Sequence, residues 1–244
     1  MTYCVALRLK EGLVFVSDTR TNAGVDHISS FRKLFSFGVE NERFMAVQTA
    51  GNLATTQAVI AHLKHQIAAK IEPNLYSVAT MFEAAELVGQ CLRKVIKNIA
   101  DSPEQESLYG CSIILGGQIS GQETELYNIY SQGNFIKATV DTPYFQIGEI
   151  KYGKPIMDRA LNFYTSLDEA LRCSLISFDS TIRSNVSVGM PLDVLVYPVD
   201  SLKTPQGKRV FENDPYFRNI SQQWSDTLKK GLQILPEPTA DYFN

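Results

Sequence analysis

The chain has 244 residues, of which 44% are hydrophobic and 20% charged, and its formal net charge is −3 at pH 7. This mildly acidic balance argues against a nucleic-acid-binding surface, and no apolar stretch reaches the roughly 18 residues that cross a membrane. Because Arg8, Lys10 and Asp18 interrupt the N-terminal region, a signal-peptide core is missing. We therefore expect a cytoplasmic globular protein without nucleic-acid or membrane partners.

The first predicted elements form a hairpin that begins just after Thr2. Residues 5–9 predict a strand, residues 10–12 a tight turn, and residues 13–16 a buried strand that returns. A hairpin of this length brings Asp18, which follows the second strand, back beside residue 2.

Lys33 is unusual because it lies inside the apolar run 31–35. A lysine in such a run is costly unless it meets a carboxylate, and Asp18 is the candidate. Together, Thr2, Asp18 and Lys33 would form a nucleophile, an orienting anion and a cation that tunes the local pKa. The alternative is that Asp18 and Lys33 form only a structural salt bridge between strands.

Thr2 follows Met1, which aminopeptidases remove when the next residue is small. A threonine at a free N-terminus carries both a nucleophilic hydroxyl and an amine that can accept the hydroxyl proton. The α-amine has an unperturbed pKa of roughly 7.7–8, close to the pH at which a general base works best. The plainer interpretation is an N-terminal strand that happens to begin with threonine.

The later elements come in blocks of strands and blocks of helices. A strand at 43–48 precedes a helix from about Asn52, and a longer helix is predicted over about 77–99. Further strands are predicted at 111–115, 125–130, 135–136 and 193–197, and further helices from Lys154 and from Ser166, which forms a capping box with Glu169. Blocks of this kind argue for an α+β fold in which two antiparallel sheets lie between helices.

The segment 199–244 reads as a C-terminal extension containing an amphipathic helix. Asp214 can cap this helix, Pro215 suits its first position, and an apolar stripe includes Phe217 and Trp224. The stripe can pack on the chain's own sheets or form an oligomer contact. In the helix at 77–99, the apolar residues Phe82, Leu87 and Ile96 lie off the main stripe, which also suggests an interface between subunits.

The cysteines and histidines give little support to a metal site or a disulfide. The four cysteines are scattered without a CxxC motif, so we expect reduced core residues. His62 and His65 share one helix face but have no evident third ligand, so a solvated face is expected. We expect neither a metal nor a cofactor.

Taken together, Thr2, the segment 11–20 (Glu-Gly-Leu-Val-Phe-Val-Ser-Asp-Thr-Arg) and Arg32-Lys33-Leu34 resemble the start of a proteasome β-type subunit. Within these subunits, the chain most resembles the bacterial Anbu (ancestral β subunit) group. Two segments carry this resemblance: Thr-Tyr-Cys-Val-Ala at 2–6 and Asp-Thr-Arg-Thr-Asn-Ala-Gly-Val-Asp at 18–26. The resemblance implies an N-terminal-nucleophile hydrolase with a four-layer αββα sandwich, here a single domain over 1–244.

The same resemblance implies roles for five residues. Thr2 would be the nucleophile, with its amine as base, while Lys33 lowers the relevant pKa and Asp18 fixes Lys33. Gly51 matches the glycine whose backbone N–H forms the oxyanion hole, although a plain turn glycine is the alternative. Ser184 matches a serine that supports the amine.

Four residues are expected to have supporting roles: Arg20, Glu149, Asp179 and Thr181. Thr181 lies where the family has an aspartate, for which Asp179 could substitute. Glu149 replaces a serine of the family, and the interval from Asp18 to Lys33 is one residue shorter than usual.

Three residues are expected to line the substrate pocket: Thr21, Thr49 and Leu53. They would make it small, uncharged and mildly polar, without a preference for acidic or basic side chains.

Three functions are compatible with these residues. The first is a threonine peptidase of a self-compartmentalising homo-oligomer, a ring or a helical stack, that acts on peptides or unfolded proteins, with any unfoldase partner unknown. The second is a non-catalytic scaffold or peptide-binding subunit, which Glu149 slightly favours. The third is a hydrolase of small amides.

Overall fold

The computed structural model describes residues 2–22, 28–100 and 102–243. Met1 and the motif residues 23–26 lie outside the described residues. The first half contains β1 (Tyr3–Leu9), β2 (Gly12–Asp18), β3 (Arg20–Asn22), β4 (Ile28–Ser30), β5 (Leu34–Val39), β6 (Arg43–Gly51), α1 (Leu53–Ala68), α2 (Met81–Ile99) and the short α3 (Pro103–Glu106). The second half contains β7 (Cys111–Ile119), β8 (Glu125–Ile129), β9 (Phe135–Lys137), β10 (Tyr144–Gly148), α4 (Lys154–Ala160), α5 (Leu167–Ser184), β11 (Leu192–Pro198), β12 (Lys208–Val210), α6 (Pro215–Gln233) and a 3₁₀ turn (Ala240–Phe243).

These strands form two five-stranded antiparallel sheets and a small hairpin. One sheet has the order β10-β1-β2-β11-β12, the other has the order β5-β6-β7-β8-β9, and β3 pairs with β4. In the first sheet Cys4 lies opposite Ser17, and Asp193 lies opposite Ser17 from the other side. The predicted hairpin therefore forms β1 and β2 at the centre of this sheet.

Alternation along the strands separates three apolar cores. Cys4 and Ala6 on one face of β1 pack with Phe15, Phe44 and other residues from both sheets, so this core lies between the sheets. Side chains on the opposite face of β1 pack against α4, α5 and α6. The second sheet packs its outer face against α1 and α2. This arrangement confirms the expected αββα sandwich.

The ends of two helices show how local capping fixes the elements. Ser166 Oγ accepts a hydrogen bond from the Glu169 N–H at 3.3 Å, as the capping box predicts. The helix expected from residue 77 begins instead at Met81, because Thr80 Oγ1 accepts from the Glu83 N–H at 3.1 Å. A second capping box, Thr80 with Glu83, was therefore missed in the sequence.

The apolar residues predicted to mark an interface on α2 are mostly buried within the chain. Leu87 is 8% exposed and Ile96 is 3% exposed, so the expectation that they remain on the surface is wrong. They pack in the core that α2 shares with α1 and the second sheet. Phe82 is 53% exposed, and Phe217 on α6 is 8% exposed.

Candidate active site

Asp18 is the last residue of β2 and is completely buried. Its Oδ1 accepts hydrogen bonds from the Tyr3 N–H at 3.1 Å and from Lys33 Nζ at 2.7 Å. Its Oδ2 accepts from the Gly189 N–H at 3.4 Å. The hairpin register places Asp18 directly beside the backbone that follows Thr2, and three donors converge on its carboxylate.

Lys33 lies just before β5 and is 4% exposed. Its ammonium donates to Asp18 Oδ1 at 2.7 Å and to the Arg20 carbonyl oxygen at 2.6 Å, so two acceptors compensate its burial. Burial raises the pKa of the Asp18 carboxyl, whereas the Lys33 ammonium and the two backbone N–H groups oppose that shift. The pair therefore holds a cation at a fixed place beside residue 2.

The end of β10 holds Thr2 in place. The Thr2 carbonyl oxygen accepts from the Glu149 N–H at 2.7 Å. Gly148 has a φ of +87°, and a Cβ atom there would lie 1.9 Å from the Thr2 carbonyl oxygen. Only glycine permits this close approach of the two backbones.

Thr2 opens onto a cavity of about 380 Å³. The residues expected at the site that line this cavity are Thr2, Thr21, Lys33, Thr49, Gly51 and Leu53. The structure thus brings the candidate nucleophile, its cation and all three expected pocket residues around one space. Arg32, Phe35 and Gln57 also line the cavity. Sequence reasoning missed these three, although Arg32 precedes Lys33 and Gln57 lies one helical turn after Leu53.

Gly51 lies at the end of β6, where the chain turns into α1. It has a φ of +120°, and a Cβ atom there would lie 2.6 Å from the Gly110 carbonyl oxygen, so glycine is required. Asn52 caps α1 through a hydrogen bond from the Thr55 N–H to its Oδ1 at 3.1 Å. The positive end of α1 therefore starts at the wall of the cavity that faces Thr2.

Arg20 connects this centre to the segment after α5. Its carbonyl oxygen accepts from Lys33, and its Nη1 donates to the Val186 carbonyl oxygen at 2.9 Å. Its guanidinium packs against Gly189, where a Cβ atom would lie 2.2 Å from the Arg20 Cζ. Arg20 thereby supports the backbone that brings the Gly189 N–H to Asp18.

Glu149 is also part of this support. It is 7% exposed, and its Oε1 accepts from the Lys151 N–H at 3.1 Å. Its Oε2 accepts from Asn185 Nδ2 at 2.8 Å. Asn185 follows α5 directly, so this contact ties the end of α5 to the residue that binds the Thr2 carbonyl. Asn185 was missed as a site residue, because no local sequence pattern links positions 149 and 185.

The other residues expected from α5 point elsewhere. Thr181 Oγ1 donates to the Ser177 carbonyl oxygen within α5 at 2.8 Å. Asp179 accepts from Ser221 on α6 at 2.7 Å and from Arg183 at 3.0 Å, so it joins α5 to α6. Ser184, the last residue of α5, is not among the described residues that line the cavity.

A metal centre finds no support among the described residues. No group of three or more His, Cys, Asp or Glu side chains there could hold a metal ion. His62 and His65 line a separate cleft between α1 and α2.

All four cysteines are free. Burial raises the pKa of Cys111 to about 12 and that of Cys173 to about 11. In the described part of the chain, no helix is long and apolar enough to cross a membrane.

The family model described as "proteasome subunit" matches residues 2–196. The chain belongs to the proteasome subunit family. A comparison with curated proteins gave no match.

Solved structures place the chain within one group of that family. It is 55% identical to a structure described as the helical assembly of the Anbu complex from Pseudomonas aeruginosa, with a TM-score of 0.93 over 98% of this chain and 99% of that chain. It is 52% identical to Anbu from Yersinia bercovieri, with a TM-score of 0.93 over 97% of this chain and 98% of that chain. Anbu from Hyphomicrobium sp. strain MC1 is 43% identical, with a TM-score of 0.90 over 98% of this chain and 100% of that chain. The chain therefore belongs to the Anbu group.

Proposed function

We propose that the chain is a threonine-type N-terminal-nucleophile hydrolase that cleaves peptide bonds after removal of Met1. The observation that carries the proposal is the position of Thr2, which shares the cavity of about 380 Å³ with Lys33. The buried hydrogen bond of 2.7 Å between Lys33 and Asp18 fixes that cation. A free α-amine at Thr2 would complete a nucleophile, a base and a charged neighbour within one pocket.

The chemistry proceeds in two steps. Thr2 Oγ attacks the carbonyl carbon of the scissile amide, and its proton passes to the Thr2 α-amine. The tetrahedral intermediate then expels the amine product, which takes up that proton, and an ester remains on Thr2. Water, activated by the same α-amine, hydrolyses the ester and restores the free hydroxyl.

Lys33, Asp18 and Gly51 have distinct parts in this scheme. The Lys33 ammonium disfavours a second positive charge nearby, which keeps the α-amine neutral and able to accept a proton. Asp18 holds Lys33 without touching the substrate. The Gly51 N–H is assigned to the developing oxyanion, and Thr21, Thr49 and Leu53 to the side chain that precedes the scissile bond.

The proposal includes assembly into a proteasome-like homo-oligomer in which Thr2 faces an inner chamber. The relative from Pseudomonas aeruginosa is described as a helical assembly, and this chain is 55% identical to it. We propose one proteasome β-type domain, with 199–244 as a C-terminal extension that contributes to contacts between subunits. The substrates would be peptides or unfolded proteins.

A non-catalytic scaffold is the second candidate, and Glu149 is the observation that favours it. Its backbone N–H binds the Thr2 carbonyl oxygen at 2.7 Å, and its buried side chain stands where the proteasome pattern has a serine. A negative charge near the α-amine would favour the protonated amine, which cannot act as a base. Glu149→Ser should therefore raise the rate of peptide hydrolysis if the subunit is an enzyme. If the subunit is only a scaffold, the variant should show no hydrolysis, like the wild type.

Electrophilic labelling tests the proposal directly. A peptide epoxyketone reacts with both the hydroxyl and the free amine of an N-terminal threonine, so it should add one equivalent to the wild type. Thr2→Ala should take up none while keeping its oligomeric mass. Thr142→Ala is the matched control, because Thr142 is exposed and outside the described cavity lining. Labelling or peptide hydrolysis that survives in Thr2→Ala would place the active site elsewhere.

A further inference from the structure

The cavity beside Thr2 carries a positive charge that the proposed reaction does not use. Among the described residues that line it, Arg32 and Lys33 are cationic and none is acidic. The Lys33 charge is compensated by Asp18 at 2.7 Å. The charge of Arg32 has no such partner on the cavity wall.

Arg32 is available for a ligand. It is exposed and, within the described ranges, forms neither an ion pair nor a hydrogen bond. A second cation adds to the local field, because Lys64 Nζ on α1 lies 5.4 Å from the centre of the Phe35 ring, and Phe35 lines the same cavity. The cavity therefore has one lining cation without a counter-ion, Arg32, and a second cation, Lys64, near one of its lining residues.

We propose that Arg32 selects substrates that carry a carboxylate on the acyl side of the scissile bond, a substrate class that rests on the proposed function. A guanidinium binds a carboxylate through two parallel hydrogen bonds. Positive charge at the cavity also raises the rate at which anionic substrates encounter the site. This proposal differs from the expectation of an uncharged pocket, which rests on Thr21, Thr49 and Leu53 alone and stays a prediction. The aliphatic and hydroxyl groups contact the stem of the side chain, and Arg32 contacts its charge.

Two kinds of substrate present this carboxylate. One is an α-linked peptide with Asp or Glu immediately before the scissile bond. The other is a γ-linked glutamyl amide, in which the free α-carboxylate lies near the acyl carbon that Thr2 attacks. The chemistry of recognition is the same, so the experiment needs one ligand of each kind.

Binding to the Thr2→Ala particle measures the selection without requiring turnover. N-acetylated peptides ending in Glu-amide or Gln-amide differ only in the charge, and the Glu peptide should bind about tenfold more tightly at low salt. Arg32→Gln should abolish that preference and Arg32→Lys should keep part of it. Lys64→Gln is the matched control, which removes a nearby cation that does not line the cavity and should keep most of the preference. The affinity for a γ-glutamyl amide is measured in the same way. Whichever of the two ligands binds more tightly identifies the kind of substrate that supplies the carboxylate.

A second measurement separates the two proposals. Epoxyketones ending in Glu or Gln are added to the wild-type particle, and the rate of Thr2 modification is followed by intact mass. If Thr2 is modified equally fast by both, and neither carboxylate source binds preferentially, the selection by Arg32 is wrong and the hydrolase stands. If no reagent modifies Thr2 but the Arg32-dependent preference persists in binding, the hydrolase is wrong and the carboxylate site stands. If Arg32→Gln misfolds, a salt titration of the wild-type particle takes the place of that variant. The preference for the Glu peptide should then disappear at high salt, and a preference that does not depend on salt would overturn the role of Arg32.

Discussion

The surroundings of Thr2 and the C-terminal segment differ in the kind of side chain that each buries or exposes. Near Thr2, Asp18 is 0% exposed and Lys33 is 4% exposed, yet both charges find partners within the chain. In the C-terminal segment, Ile234 is 84% exposed and Phe243 is 76% exposed, although both are apolar. The charges of the first region are satisfied within one chain, whereas the second region leaves large apolar side chains on the surface of the chain, a feature typical of interfaces.

The boundary of the family match follows the same division. The proteasome subunit model matches residues 2–196, which include the whole buried centre. The Anbu structures extend the match to 97–98% of the chain and so reach into the C-terminal segment. We infer that the candidate chemistry belongs to the shared domain and that the extension serves assembly. The following variants test whether the two regions are separable in this way.

Removing the buried cation should have the largest effect. Lys33→Met leaves the Asp18 carboxylate buried without its counter-ion and should lower the free energy of unfolding by about 4 kcal/mol, with loss of hydrolysis. Urea denaturation checks the stability. The control is Lys154→Met, which breaks an exposed ion pair with Asp158 and should cost less than about 0.5 kcal/mol. Equal effects of the two variants would contradict the division into a buried centre and a tolerant surface.

A methyl group at Gly148 should break the support of Thr2. Gly148→Ala combines a φ of +87° with a Cβ atom 1.9 Å from the Thr2 carbonyl oxygen, and we expect a loss of about 3 kcal/mol. Gly121→Ala is the matched control, because Gly121 has a φ of +78° but no atom within 4 Å of the added Cβ. It should lose only about 1 kcal/mol. Thermal unfolding of both variants measures the difference, and a Gly148→Ala protein as stable as Gly121→Ala would refute the close approach.

How far the sequence predicts this centre depends on the distance between the partners along the chain. The hairpin places Asp18 beside residue 2 because its turn is local, and the apolar run around Lys33 demands a carboxylate. The Gly189 N–H and the Asn185 side chain were missed, since the segment after α5 reaches Asp18 and Glu149 only through the packing of distant elements. The same limit explains α2, where an apolar stripe cannot show that Leu87 and Ile96 are buried in the core shared with α1 and the second sheet.

Polar substitution in the C-terminal segment should affect assembly and spare the fold of the subunit. Leu232 is 71% exposed and Ile234 is 84% exposed, so Leu232→Ser with Ile234→Ser should weaken subunit association roughly tenfold or more. Sedimentation at micromolar concentrations shows the change in mass. Val140→Ser, at a residue that is 48% exposed outside this segment, is the control and should leave the mass unchanged. A full-size particle from the double variant would show that other surfaces hold it together.

The smallest effect concerns the exposed pair on α4. The hydrogen bond from Lys154 Nζ holds the pKa of Asp158 below its usual value, with a further contribution from Tyr144. A lowered pKa in the folded state stabilises the fold above the unfolded pKa, near 4, and that contribution is lost as the pH falls through the folded pKa. Because solvent screens the pair, Lys154→Met should reduce the free energy of unfolding that is lost between pH 6 and pH 3 by only a few tenths of a kcal/mol. Unfolding curves at pH 6 and pH 3 measure this loss. An unchanged loss in the variant would show that Lys154 contributes nothing to it.

The mass of the N-terminus tests the central claim most directly. If Thr2 is the nucleophile and its amine the base, the particle isolated from its native host must begin at Thr2, because a peptide-bonded nitrogen cannot accept the proton. Intact-mass spectrometry on a preparation that hydrolyses peptides should show the loss of Met1 in every active subunit. Hydrolysis by a particle that retains Met1 stoichiometrically would contradict the account.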